Sequence, residues 1–127
     1  MPHTKLIFFQ EADGTAPAIE WLKQLQKENA RAFAKCRVRL ARLAAMGHEL
    51  RRPEADYLRD EIYELRSRMG TVNYRILYFF HGRNVAIVSH GFTKADEIPS
   101  REVDLAIARK TAFTASPLKH TYTGEIP

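Results

Sequence analysis

Hydrophobic positions along this chain change their period twice, and the changes mark its elements. Lys5 to Phe9 is a short run of β-forming residues, closed by the polar turn Gln10 to Gly14, and predicts a first strand. Ile19, Leu22 and Leu25, with Trp21, then line a short helix reaching about Lys27, with Thr15 as candidate N-cap. Pro17 falls in its first turn, where the missing N–H costs nothing. Asn29 to about Met46 predicts a second helix, stopped at Gly47. Phe33, Cys36, Leu40, Leu43 and Ala44 share one side of it, while Arg31, Lys35, Arg39 and Arg42 share another.

A polar connector, His48 to Leu58, leads to three strand-like runs: Glu61 to Arg68, Val72 to Phe80 and Asn84 to Phe92. Short glycine-containing turns join them, which predicts an antiparallel meander. Pro99-Ser100 opens a last helix, with Glu102 and Asp104 at its start and Arg109 and Lys110 near its end, as the helix dipole favours. The expected order is β-α-α-β-β-β-α, an α+β domain over residues 1–113. Its small antiparallel-rich sheet carries the two early helices on one face, and function is expected on the other. Residues 114–127 read as an aperiodic tail that orders against a partner.

Composition narrows the class. The length of 127 residues suits one domain with a core that needs no staples. The lone Cys36, on the apolar side of its helix, reads as a buried small hydrophobe; one cysteine makes no internal disulfide and points to a reducing cytoplasm. No run approaches the roughly 20 apolar residues that span a bilayer, so no membrane association is expected. Leu6 to Phe9 is too short for a signal peptide. Twenty Lys and Arg against fifteen Asp and Glu give a formal +5, which favours an acidic partner such as nucleic acid. Seven of those cations and only Glu49 among acids lie between Arg31 and Arg52, either as a solvated helix face or as a surface for RNA backbone.

Several chemistries drop out. His3, His48, His81 and His120 are scattered without ligand spacing, so no metal is expected. The chain has no Walker loop, no dinucleotide glycine fingerprint and no nucleophile elbow, and no cofactor is expected. Alternation in the meander instead places Ile62, Glu64 and Arg66 on one face of their strand. In the next strand Arg75, Leu77 and Phe79 oppose Tyr74, Ile76, Tyr78 and Phe80. With Arg66 and Arg75 both on the helix-free face, two guanidiniums form a phosphate clamp; the alternative is that each pairs with an acid such as Glu64. His90 and Lys94 sit at the rim of the last strand, and Tyr63, Tyr74 and Tyr78 are either core or rings for base stacking.

The runs Ile62 to Arg66, Tyr74 to Tyr78 and Val88 to Lys94, with Pro99, Glu102 and Arg109, resemble the HigB-like, phage-derived branch of the RelE/ParE toxin superfamily over about residues 3–113. The resemblance implies the toxin of a type II toxin–antitoxin system, partnered by a helix-turn-helix antitoxin and acting on messenger RNA in the ribosome without metal or cofactor. In such enzymes the RNA's own 2′-hydroxyl attacks the scissile phosphate, leaving a 2′,3′-cyclic phosphate and a 5′-hydroxyl. It implies catalytic roles for Arg75 and Arg66 at the phosphate and for Lys94 as second clamp or proton donor. His90 and Tyr63 become candidates for proton transfer or stacking, and Arg31, Lys35, Arg39 and Arg42 for ribosomal RNA contact. Relatives often carry a second lysine where this chain has Ala95, a glycine where it has Glu61, and a lysine near Tyr57. The same superfamily also contains ParE-like toxins that bind DNA gyrase without chemistry, and a non-toxic nucleic-acid-binding accessory protein is a third reading.

Overall fold

The structure is a computed structural model that describes residues 3–93 and 97–127. Strand β1 (Lys5–Phe8) leads into helix α1 (Pro17–Glu28) and helix α2 (Ala30–Met46), followed by a single 3₁₀ turn at Gly47–Glu49. Four strands come next, β2 (Ala55–Arg59), β3 (Ile62–Met69), β4 (Val72–Phe80) and β5 (Val85–Thr93), and then helix α3 (Ser100–Ala115). The five strands form one sheet in the order β1-β5-β4-β3-β2, antiparallel except that β1 runs parallel to β5. The α+β class and the order of elements follow the sequence reading, with one strand more.

That extra strand, β2, lies inside the segment read as a polar connector. It is an edge strand with a register shift between Tyr57 and Arg59 and only Ala55 buried, so it carries no clean hydrophobic alternation. A second difference is at the start of α1. Ala16, not Thr15, occupies the N-cap and makes no side-chain cap; Pro17 opens the helix, and Asp13 accepts the Thr15 N–H at 2.9 Å. Asn29 caps α2 as a side-chain acceptor for the Ala32 N–H.

Two cores sandwich the sheet. On one side α1 and α2 pack Ile19, Leu22, Phe33, Cys36 and Leu43 against Leu65, Tyr74, Ile76, Tyr78 and Val88. On the other, α3 packs Val103, Ala106 and Phe113 against Ile62, Leu77, Phe79 and Ile87. The face opposite the early helices is therefore partly roofed by α3. Burial pushes the Cys36 thiol up to about 11, in keeping with an inert core residue. Gly91 is required by close approach, because a Cβ there would run into the indole of Trp21.

Residues 119–122 lie against Phe8, Phe9 and Gln10, at the end of the chain's own β1. Thr121 bridges to Phe9, the His120 ring stacks on Phe9 at 4.9 Å, and the Tyr122 N–H donates to the Phe8 carbonyl at 3.0 Å. The contacts of the tail in this structure are thus intramolecular.

Candidate functional site

The β3–β4 register sets Arg66 directly opposite Arg75, and Arg68 opposite Asn73, all on the α3 side of the sheet. β2 begins opposite Leu65, so beyond the Arg66 N–H, which donates to the Glu54 carbonyl at 2.8 Å, β3 runs on beside α2. A cleft of about 220 Å³ opens there, lined by Arg39, Arg66, Arg68, Asn73 and Arg75 with Ser67, Tyr74 and Pro53. Among the described residues, four arginines line it and no carboxylate does. Arg39 is aimed into place by its Nε, which donates to the Arg66 carbonyl at 2.7 Å, and by Glu54 at 3.0 Å. Among the described residues, Arg66 and Arg68 make no ion pair. Arg75 does: its Nη1 donates to Glu64 Oε1 at 2.5 Å, one of the two alternatives open in the sequence.

Next to this clamp, toward the middle of the sheet, lies a buried polar relay that the sequence reading did not assemble. Leu77 pairs with His90 but Tyr78 pairs with Val88, so Ser89 is an extra residue, a bulge that turns both Ser89 and His90 toward α3. Arg109 Nη1 donates to Ser89 Oγ at 3.3 Å, Ser89 Oγ lies 2.8 Å from His90 Nδ1, and His90 Nε2 lies 2.9 Å from Glu102 Oε1. With His90 neutral, one set of donors and acceptors satisfies all three contacts. Arg109 and Ser89 each donate onward, and a neutral His90 accepts at Nδ1 and donates from Nε2 to Glu102. Burial, then the positive charge of Arg109, holds His90 below its ordinary value, and the contact with Glu102 opposes them. Burial likewise lowers Arg109, partly countered by Glu11 at 3.6 Å; the guanidinium lies over the Phe9 ring at 5.6 Å. The signal for this relay was present as Glu102, Ala106, Arg109 and Phe113, one face of α3, but nothing local showed which strand that face would meet.

The sequence-derived candidates therefore divide. Arg66, Arg75 and His90 share the α3 side of the sheet. Tyr63 is on the opposite side, packed against Tyr78 and Phe80 and facing Tyr57. Lys94 lies outside the described residues. In the α2 stripe Arg39 and Arg42 both bind the Glu54 carboxylate at 3.0 Å, and Arg42 in turn holds that carboxyl below its usual range. Arg31 and Lys35 stay exposed, without an ion pair among the described residues.

A family model described as phage-derived protein Gp49-like (DUF891) matches residues 20–111, from α1 to the last turns of α3. The chain belongs to this family. The Gp49-like family is one of toxin–antitoxin toxins, and the match takes in both the arginine cleft and every member of the relay except Glu11. A search of curated proteins found no match to the chain. Among the described residues, no helix of this Gp49-like protein is long and apolar enough to cross a membrane, and no cluster of side chains could hold a metal ion.

Proposed function

We propose that this Gp49-like protein is the toxin of a type II toxin–antitoxin system and acts as a ribosome-dependent, HigB-like mRNA endonuclease. The observation that supports this best is the cleft whose described lining holds four arginines and no carboxylate, with Arg66 directly opposite Arg75. In the reaction the 2′-oxygen forms a bond to phosphorus as its proton passes to solvent water, and the bond from phosphorus to the 5′-oxygen breaks as that oxygen takes up a proton from Lys94 or water. Negative charge accumulates on the non-bridging oxygens meanwhile, and fixed guanidiniums stabilise it. Arg66 and Arg75 serve this purpose, with Arg68 and Arg39 gathering the flanking backbone. Lys94, next in sequence after the end of β5, keeps the role of second clamp or proton donor. His90 enters as a positioning residue, because both of its ring nitrogens are engaged. Exposed Arg31 and Lys35 add salt-dependent attraction to ribosomal RNA.

Primer-extension mapping of transcripts after induction without an antitoxin tests the reading. Cuts inside translated frames are expected from the natural chain and none from Arg66→Ala, whose side chain makes no ion pair among the described residues. Arg75→Lys, which keeps the charge beside Glu64 but loses the planar fork, should cut at least tenfold more slowly, on the order of the ~1.4 kcal/mol that a charge-assisted contact contributes. Intact transcripts with arrested growth would instead identify a toxin that binds its target without chemistry. Intact transcripts with normal growth would identify a non-toxic accessory protein.

A further inference from the structure

Strand β2 brings an aromatic side chain to the surface on the α1/α2 side of the sheet. Tyr57 is opposite Tyr63, and Tyr63 is opposite Tyr78, so three tyrosine rings run outward across β4, β3 and β2. Tyr78 is fully buried, Tyr63 half-buried and Tyr57 52% exposed. The rings touch in sequence: Tyr78 and Tyr63 stack at 5.5 Å, and Tyr63 meets Tyr57 edge-on at 5.1 Å. The Glu61 N–H donates to the Tyr57 hydroxyl oxygen at 3.1 Å. An exposed ring held at both ends has already lost its rotamer freedom, so a ligand stacking on it need not supply that ordering free energy.

The opposite wall carries His48, exposed and stacked on Phe80 at 3.6 Å. Between the two walls is a cleft of about 590 Å³ floored by Leu50 and Ala55, with Arg51, Arg52 and Asp56 around it. Arg51 donates to the His48 and Leu50 carbonyls, and Arg52 pairs with Asp56 at 2.6 Å while its side chain stays 72% exposed. Flat rings on two sides, two guanidiniums and one carboxylate acceptor match the parts of a nucleotide: a π-face, a phosphate, and hydroxyl or amino donors. Among the described residues, this cleft shares no lining residue with the arginine cleft of the proposed cleavage site, from which the turn at 51–54 separates it.

We propose that the cleft between Tyr57 and His48 binds one unstacked nucleotide of single-stranded RNA, its base on the aromatic walls and its phosphate on Arg51 and Arg52. The inference adds a second RNA contact to the function proposed above, but it requires neither cleavage nor the ribosome. The test is therefore made on the protein alone. The ¹⁵N-labelled full chain is titrated with adenosine 5′-monophosphate and, in parallel, with inorganic phosphate, while backbone amides are followed by NMR. The nucleotide is expected to move amides of residues 48–63, those of Tyr57 and Tyr63 included, well beyond the shifts that phosphate alone gives around Arg51 and Arg52. Tyr57→Phe, which keeps the ring but loses the tie to the Glu61 N–H, should bind within a few-fold of the natural chain, and Tyr57→Leu should bind roughly tenfold more weakly for loss of the stacking surface. Shifts confined to Arg66 to Arg75, equal shifts with phosphate alone, or undiminished binding by a folded Tyr57→Leu would each overturn the proposal. None of these outcomes alters the transcript cuts expected of the arginine cleft, so the two readings fail separately.

Discussion

Arg75 is directly opposite Arg66 in the β3–β4 ladder, and Glu64 reaches diagonally to the Arg75 guanidinium at 2.5 Å. Two like charges facing each other across an antiparallel pair repel, and the carboxylate offsets that repulsion from the same face of the sheet. Only 11% of the Arg75 side chain and 5% of Glu64 are exposed, so the pair lies in a poorly screened setting. A buried pair of this kind adds little to net stability but costs a great deal when one member is removed. Its value here is positional, since it holds one guanidinium of the clamp in a fixed direction.

Glu64→Gln is therefore expected to lower the unfolding free energy by about 3 kcal/mol, because it withdraws a buried carboxylate bonded to Arg75. Adding Arg75→Met should recover a large part of that loss, since it removes the buried guanidinium that has lost the Glu64 carboxylate. Urea unfolding of the two single variants and the double variant makes the comparison. Independent, additive losses would show that the two side chains do not act as a pair. The same reasoning makes Arg75→Ala a poor control for catalysis, because it would perturb the fold as well as the site.

Much of this site was legible in the alternation of β3 and β4, where Glu64, Arg66, Arg75 and Leu77 fall on one face by counting. Counting also sets Tyr63 on the other face from Arg66, so the likeness to other toxins grouped two residues that the pleat keeps apart. His90 departs from simple alternation. Strict alternation along β5 would turn it toward α1 with Val88, and the bulge at Ser89 reverses it. Strand β2 was missed because an edge strand with one buried residue has almost no hydrophobic pattern. The relay to Glu102 and Arg109 depends on where α3 docks, which is a property of the two cores and not of any local window.

The relay makes stability depend on pH with a definite sign. Folding lowers the His90 pKa below its ordinary 6.5, so the unfolded chain takes up a proton that the folded chain resists. Stability from this residue is fully present above about pH 6.5 and is lost as pH falls below it. Urea midpoints at pH 8, 7, 6 and 5 are expected to fall over the last two steps, and His90→Gln should flatten that fall. Glu54 and Asp56, held low by Arg42 and Arg52, act only in more acidic solution. An unchanged slope in His90→Gln would assign the dependence to another group.

The β2–β3 turn holds Asp60 and Glu61 at φ 51° and 66°, the geometry of a two-residue type I′ hairpin. Aspartate tolerates the left-handed region through its short side chain, whereas glutamate at the second position is strained. The compensation on view is a contact with α3, Lys110 Nζ at 3.3 Å from Glu61 Oε1, and three-quarters of the Glu61 side chain is exposed there. A surface pair of this sort contributes little, so backbone relief should dominate. Glu61→Gly is expected to stabilise the protein by about 1 kcal/mol, read as a higher urea midpoint at unchanged slope. A lower midpoint would mean that the tie to α3 outweighs the strain.

The tail closes the outer edge of β1, and the structure allows its contribution to be stated. His120 covers the ring of Phe9, which is 1% exposed, and its Nδ1–H donates to the Gln10 carbonyl at 2.7 Å. The Gln10 N–H donates back to the His120 carbonyl at 2.9 Å, and Tyr122 reaches the Phe8 carbonyl. Ending the chain at Ser116 would return one face of Phe9 to water and strip these partners from an edge strand. Losing one buried aromatic face and two or three backbone hydrogen bonds should cost about 2–4 kcal/mol. Calorimetry of the shortened chain is expected to show a lower Tm with a single transition. The cut-site pattern of the arginine cleft should persist below that temperature, because no residue beyond Arg109 lines the cleft or joins the relay. An unchanged Tm would show that the tail rests on the edge without stabilising it, leaving β1 free to pair with another chain.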